Sequence, residues 1–425
     1  MNIFDQLLAD NQIPKFVRVR HEMDHSHIDD IEGAVAQAMQ REGTLDRIKP
    51  GDSVCITAGS RDVANIARVI RAICDQVKSV GAHPFIIPAM GSHAGAKAEG
   101  QRGIIEGYGV TEEAMGAPIR ASMDTEVIAH SKSGLEIHLD KYANAADFLI
   151  PVGRIKAHTD FRGEVESGIC KMLVIGMGKQ HGAYQCHKLG FKSMAANVKE
   201  FAGAIIEKKP NMFAIGLIEN AYHQTCRIEA IPAGRILAEE PPLLEYAKSR
   251  MAKVPFDQAD ILFVDETGKD ISGAGMDPNV TGRSPVLGIS RPFFQRIAVF
   301  DLTDKSHGNF GGLGSADVTT QRLYRKIDFE QTYPNGITAA EPLAVRLPAV
   351  MPSDRTAMQF ALRTATDCDW EKGPRIVWLK NTLSLSEFYI SEALIPDAEA
   401  LDNVTIVSEP MEVIFDEEGN VKELR

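Results

Sequence analysis

The chain has 425 residues, 44% hydrophobic and 24% charged, with a formal net charge of -12. That length exceeds a single hydrophobic core, so two α/β domains are expected, and the acidic balance argues against general nucleic-acid binding and against an anionic membrane surface. No apolar run approaches the ~18 residues of a membrane span, and Met1–Asp5 lacks a basic-then-apolar signal pattern.

A first buried strand is expected over Ser53–Thr57, followed by a helix from about Val63 to Val80 with apolar residues at helical spacing. Pro84–Pro88 reads as a second strand and Ala96–Gly107 as a second helix, which makes a βαβ unit with a parallel sheet. Shorter strands follow at Thr125–Ala129 and Leu135–Leu139, then a strand over Asp147–Val152. Met212–Ile218 reads as a strand and Pro242–Met251 as a helix with Pro242 in its first turn. The chain restarts near residue 255: strands are expected at Ile261–Val264, Arg296–Phe300, Arg375–Leu379 and Met411–Phe415, and helices at Ala316–Lys326 and Arg355–Thr366. The expected architecture is a Rossmann-like, mostly parallel α/β domain over residues 1–255 and a smaller α/β domain over 256–425 that closes a substrate cleft. Six scattered cysteines without C-x-x-C spacing fit reduced thiols in a cytoplasm, with no zinc cluster and no disulfide framework.

The segment Gly153–His187 is the richest in chemistry. It holds His158, His181 and His187 together with Lys156, Lys171 and Lys179, and it follows the Asp147–Val152 strand. Open α/β sheets place their sites at such strand ends. His158 precedes Thr159-Asp160, and Asp160 or Glu164 could orient its ring. Lys171 opens an apolar run, as either a surface lysine or a desolvated, nucleophilic amine. His181 and His187 compete for one role as metal ligand or base, and no H-x-x-x-H spacing supports a protein-only zinc site. Earlier in the chain, Gly91–Gly95 sets His93 among small residues where a strand gives way to a helix, beside amides that favour an anion. In the second half, Asp265–Arg283 is a glycine-rich polar loop in which Lys269 and Arg283 could bind a carboxylate or phosphate. His307–Gly314 is a third such loop. None of these matches G-x-G-x-x-G after a first strand or the P-loop pattern, so classical NAD or ATP binding is not indicated.

The order Ser60-Arg61, His93 within Gly91–Gly95, His158, Lys171, His187 resembles the nickel-dependent lactate racemases and their 2-hydroxyacid racemase and epimerase relatives. The resemblance covers roughly residues 50 to 200, with a longer segment between His158 and Lys171 than in the lactate enzymes. It implies a nickel-pincer nucleotide, a pyridinium mononucleotide that holds nickel through two thio-acid sulfurs and a ring carbon. It makes Lys171 the tether, His187 the protein ligand of nickel, and Ser60, Arg61 and Gly91 further cofactor contacts. It makes His93 and His158 the acid/base pair on opposite faces of the substrate, with Arg61 also an anion contact. The chemistry suits such residues: inverting a carbon that bears C–H and O–H needs one base per face, a hydride acceptor that side chains cannot provide, and a cation for the carboxylate. Lys269 and Arg283 are the candidates for that cation. The implied substrate is a 2-hydroxy acid or sugar acid, the implied partners are cofactor maturation enzymes, and a homo-oligomer is compatible with the chain. Two other readings stay open: an α/β lyase or hydrolase using Lys171 and His93, and a non-catalytic ligand-binding homologue.

Overall fold

The protein is described by a computed structural model covering residues 3–41, 44–59, 63–284, 291–339 and 341–425. The chain divides into two compact units, Asp24–Met251 and Met1–Met23 joined with Ala252–Arg425.

In the unit Asp24–Met251, strands His83–Pro88, Ser53–Ala58 and Phe148–Ile150 pair in parallel in that spatial order. Their near-continuous apolar runs suit a sheet covered on both faces. Cys55, Phe85, Ile87 and Leu149 point into one core. Val54, Ile56, Ile86 and Ile150 point into the other, against the buried side of helix Ile66–Ser79. That helix starts later than its apolar spacing suggests, because Asn65 before it sits in the left-handed region at φ 59°.

The strand expected over Asp147–Val152 is two strands. Pro151 has no N–H to give the ladder, and the chain resumes as Val152–Arg154. There the Val152 N–H donates to Thr57 Oγ1 at 2.8 Å, a side chain replacing a backbone acceptor. Val152–Arg154 pairs in parallel with Phe213–Glu219, which pairs antiparallel with Thr225–Pro232. The helix expected from Pro242 runs over Ile236–Arg250, with Pro241 and Pro242 in its interior.

The other unit carries an eight-stranded sheet in the order Ala349–Met351, Val318–Thr320, Phe293–Leu302, Gln258–Thr267, Ile376–Leu379, Glu387–Ser391, Phe16–His21, Val404–Ile406. The first five strands are parallel and the rest antiparallel. The junction at Met251–Ala252 lies close to the restart seen near residue 255, but the first 23 residues fall with the C-terminal part rather than with residues 24–251. The reason is a long-range pairing: Phe16–His21 buries Phe16, Val17 and Val19 between two strands almost 400 residues away. The helix expected over Ala316–Lys326 is instead the strand Val318–Thr320 followed by the short helix Gln321–Arg325. The β-branched run Val318-Thr319-Thr320 fits a buried strand, and Thr320 Oγ1 caps the helix by accepting the Leu323 N–H at 3.1 Å. Among the described residues no helix is long and apolar enough to cross a membrane.

One buried ion pair fixes the ground beneath the histidine-bearing loops. Lys179 and Asp140 are both fully buried, with Lys179 Nζ 3.1 Å from Asp140 Oδ2. The same ammonium donates to the carbonyl of Pro88, the last residue of the strand before the His93 loop. Asp140 Oδ1 in turn accepts the N–H groups of Tyr142 (2.8 Å) and Ala143 (3.1 Å). Lys179 adopts the left-handed region at φ 54°, a sparse conformation for a residue with a Cβ, held here by its charge partners. Breaking a buried pair leaves an uncompensated charge. Lys179→Met should therefore lower unfolding stability by about 3–5 kcal/mol in denaturant titration, and Asp140→Asn added to it should recover part of the loss. A single variant within 1 kcal/mol of wild type would show that the pair does not hold this region.

Candidate active site

Strands His83–Pro88, Ser53–Ala58 and Phe148–Ile150 are parallel neighbours, so the segments after them leave the sheet from the same end. The segment after Ser53–Ala58 contains Ser60 and Arg61, which lie outside the described residues. The segment after His83–Pro88 contains His93. Gly91 there has φ +59°, and a Cβ on it would stand 3.0 Å from Ile175 Cγ2, so only glycine lets this loop close onto the turn Met172–Gly176. The buried Gln101 side chain donates to the carbonyls of Gly91 (2.9 Å) and His93 (3.2 Å), which fixes the backbone that carries the imidazole.

His158 sits in the segment that follows Val152–Arg154. Lys156 bridges antiparallel to Ser167, so the extra length between His158 and Lys171 is a closed, ordered loop. Its clamp is Glu166, a carboxylate with no solvent exposure. Glu166 Oε2 accepts the His158 backbone N–H at 2.7 Å, and Oε1 lies 3.0 Å from Lys248 Nζ on helix Ile236–Arg250. The ring of His158 packs on Phe161 with centroids 4.2 Å apart. Its Nδ1 accepts the Asp160 backbone N–H at 2.9 Å. Of the two residues expected to orient this ring, Asp160 does so through its amide, while Glu164 pairs with Lys199 on an exposed face. Burial lowers the His158 pKa well below the ordinary histidine value, and the positive charge of Lys171 and Lys156 adds to it.

Lys171 ends the short turn Ile169–Lys171 and places Nζ 2.6 Å from His158 Nε2. The turn is anchored by Glu240, another carboxylate without exposure, whose Oε2 accepts the Cys170 N–H at 2.8 Å. Burial raises the Glu240 pKa against the lowering effect of those donors. Gly168 permits the approach, since a Cβ there would lie 2.0 Å from Glu240 Oε1.

His187 and His181 share helix Lys179–His187 and have different surroundings. His181 is exposed and stacks on His138, ring centroids 5.6 Å apart. His187 is largely screened by its neighbours. Its Nδ1 donates to the Ala183 carbonyl at 2.6 Å, and Phe191 meets its ring edge-on at 5.8 Å. A backbone carbonyl on Nδ1–H leaves Nε2 with its lone pair outward, the arrangement that prepares an imidazole for a metal. Burial lowers the His187 pKa and thereby keeps the ring neutral, partly offset by the Ala183 hydrogen bond. The charge of Lys171 bears on both His158 and His187.

In the other unit, Lys269 and Arg283 have separate fates. Arg283 is committed to its own framework: Nη1 meets Asp317 Oδ2 at 2.5 Å, and Nη2 donates to the Phe294 carbonyl at 2.8 Å. Its charge is already matched, which argues against a substrate role. Lys269 Nζ folds back on the Gly273 carbonyl at 2.6 Å and stays partly exposed. Sequence reading missed Glu166, Glu240, Lys248 and the Lys179–Asp140 pair. Only burial marks them, and a lone Glu or Lys in a sequence carries no sign of it.

Residues 4–198 match the model of the lactate racemase N-terminal domain. The lactate racemase apoprotein from Thermoanaerobacterium thermosaccharolyticum has a similar fold, with a TM-score of 0.53 at 16% identity over 86% of this chain and 93% of that one. No curated protein matches the sequence. Through its N-terminal part the chain is similar to the lactate racemase family.

Proposed function

We propose that the protein is a racemase or epimerase that inverts the C2 carbon of a 2-hydroxy acid or sugar acid with a nickel-pincer nucleotide. The observation that carries the reading is His187, whose Nδ1 is bound to the Ala183 carbonyl and whose Nε2 is thereby prepared for a metal, on the turn-and-helix run that begins with Lys171. No group of three or more His, Cys, Asp or Glu among the described residues could hold a metal alone. The resemblance implies that a metal on His187 takes its other ligands from the nucleotide, whose soft sulfur and carbon donors together with one imidazole suit nickel. Lys171 is the residue that would tether that group, with Ser60, Arg61 and Gly91 as its other contacts. When bound, the nucleotide supplies the hydride acceptor that side chains lack.

The remaining work falls to the chain. His158 is kept neutral by burial and serves one face of the substrate as an acid/base group at neutral pH. His93, on its own glycine-flanked loop, serves the opposite face, so that each face has one base. The Asp160 amide and the Glu166 carboxylate hold His158 in place during transfer. Lys269 is the better candidate for a substrate cation, since Arg283 is spent on Asp317. Cofactor maturation enzymes are the partners this reading requires.

In protein co-expressed with such enzymes, His187→Ala should lose bound nickel by metal analysis, while His181→Ala keeps most of it. The opposite result would reassign the ligand. His93→Ala and His158→Ala should each lower turnover by about 10²-fold or more while retaining nickel; either variant inverting substrate near the wild-type rate would sink the two-base scheme.

The neutral His158 also predicts the acid stability of the protein without cofactor. The unfolded ring takes a proton near the ordinary histidine value of 6.5 while the native ring does not. The unfolded state then binds more protons, so stability falls as pH drops below that value, by at most about 1.4 kcal/mol per pH unit for one group. His158→Gln should flatten the fall between about pH 6 and 5 in denaturant titrations, and an unchanged slope would count against a neutral buried ring.

A further inference from the structure

The strand Gln258–Thr267 carries a carboxylate where its pattern calls for an apolar residue. Side chains alternate along a strand, so Ile261, Phe263 and Asp265 share a face. Ile261 and Phe263 lie in a core with Phe16, Phe300 and Trp378, and Trp378 meets Phe16 edge-on with centroids 5.1 Å apart. Asp265 ends that row. It keeps some exposure, yet packed protein on most sides takes water away from its charge. Its Oδ1 accepts the Trp378 Nε1–H at 2.6 Å, which links this strand end to the parallel neighbour Ile376–Leu379. The cations nearby are already engaged. Arg322 Nη2, on helix Gln321–Arg325, lies 3.0 Å from both oxygens of the buried Asp354, and Lys326 Nζ lies 3.1 Å from Asp301. Among the described residues no ion pair reaches Asp265, and its hydrogen-bond donor is a neutral indole.

We propose that Asp265 is a proton-operated latch of this unit: neutral, it holds the two strand ends together against the aromatic core, and once ionised it loosens them and the loop they carry. A carboxylate taken from water without a cation is costly, whereas a carboxylic acid still accepts the indole N–H through its carbonyl oxygen. Burial raises the Asp265 pKa to about 7 against the Trp378 hydrogen bond; the negative charges of Asp354 and Glu266 add to the rise, and Arg322 opposes it. Asp301 and Lys326, on the far side of Arg322, are matched to each other. The proton therefore leaves near neutral pH. Two supports of one loop then weaken together. The loop Asp265–Arg283 begins at the first strand end. After the second strand, Thr382 Oγ1 accepts the Asp277 N–H of that loop at 3.0 Å, and Asn381 donates to Glu266 at 2.8 Å. The latch does not depend on the reaction proposed above.

The test uses the full-length protein. The chain has two tryptophans, and Trp370 is exposed, so Trp370→Phe leaves Trp378 as the sole emitter. In that background the fluorescence of Trp378 should change in a one-proton transition with its midpoint at about 7. Acrylamide should quench Trp378 weakly below the midpoint and more strongly above it. Asp265→Asn keeps an acceptor oxygen for the indole and removes the titrating proton, so the transition should vanish. No transition between about pH 5.5 and about pH 8.5, or one that persists in Asp265→Asn, overturns the proposal. A transition with equal quenching on its two sides overturns it as well, because the strand ends then do not loosen. If Asp265→Asn does not fold, the temperature dependence of the Trp370→Phe transition decides. Carboxyl ionisation is nearly athermal, so the midpoint should stay in place on warming, and a midpoint that falls, as that of a histidine does, overturns the assignment to Asp265.

Discussion

A charge taken out of water must be matched where it lies, and that constraint shapes the reactive segment of this protein. Three carboxylates without solvent exposure surround it. Asp140 faces Lys179, Glu166 faces Lys248 and the His158 amide, and Glu240 faces the Cys170 amide. Each match joins parts of the chain that are distant in sequence to one of the histidine- or lysine-bearing turns. Loops rich in glycine and polar groups are ordinarily the mobile parts of a domain. Here these buried partners tie such loops to the rest of their unit.

The same segment shows how backbone groups assign roles to chemically identical side chains. His158 and His187 are both neutral rings, yet the Asp160 N–H takes the lone pair of one Nδ1 while the Ala183 carbonyl takes the proton of the other. One ring is left with a proton on Nε2 and the other with a lone pair there. His181, six residues before His187, has neither partner and stacks on His138 at the surface. The two histidines thus differ in surroundings and not in residue type.

The protein is acidic overall, so an anionic substrate needs a local cation. Arg283 shows that a cation in a glycine-rich loop is not automatically such a group, since Asp317 and neighbouring carbonyls consume its donors. What looks like a binding residue in the sequence is there a tie between its loop and the strand Phe293–Leu302.

Much of this was legible in the sequence. The apolar runs at Ser53–Ala58 and His83–Pro88 and the helical spacing between them determined a parallel α/β core, because burial on both faces leaves a continuous apolar signature. Gly91 flanking His93, and the spacing of His158, Lys171 and His187, marked candidate site residues through the resemblance they carry. Tertiary structure decided the rest. It moved Phe16–His21 into a sheet with the C-terminal half, a pairing that no local pattern encodes. It split a strand at Pro151, turned Val318–Thr320 from expected helix to strand, and chose Asp160 over Glu164 as the partner of His158. It also supplied Glu166, Glu240 and the Lys179–Asp140 pair. A charged residue reads the same in sequence whether it meets water or a buried partner, and only the folded chain sets which it meets.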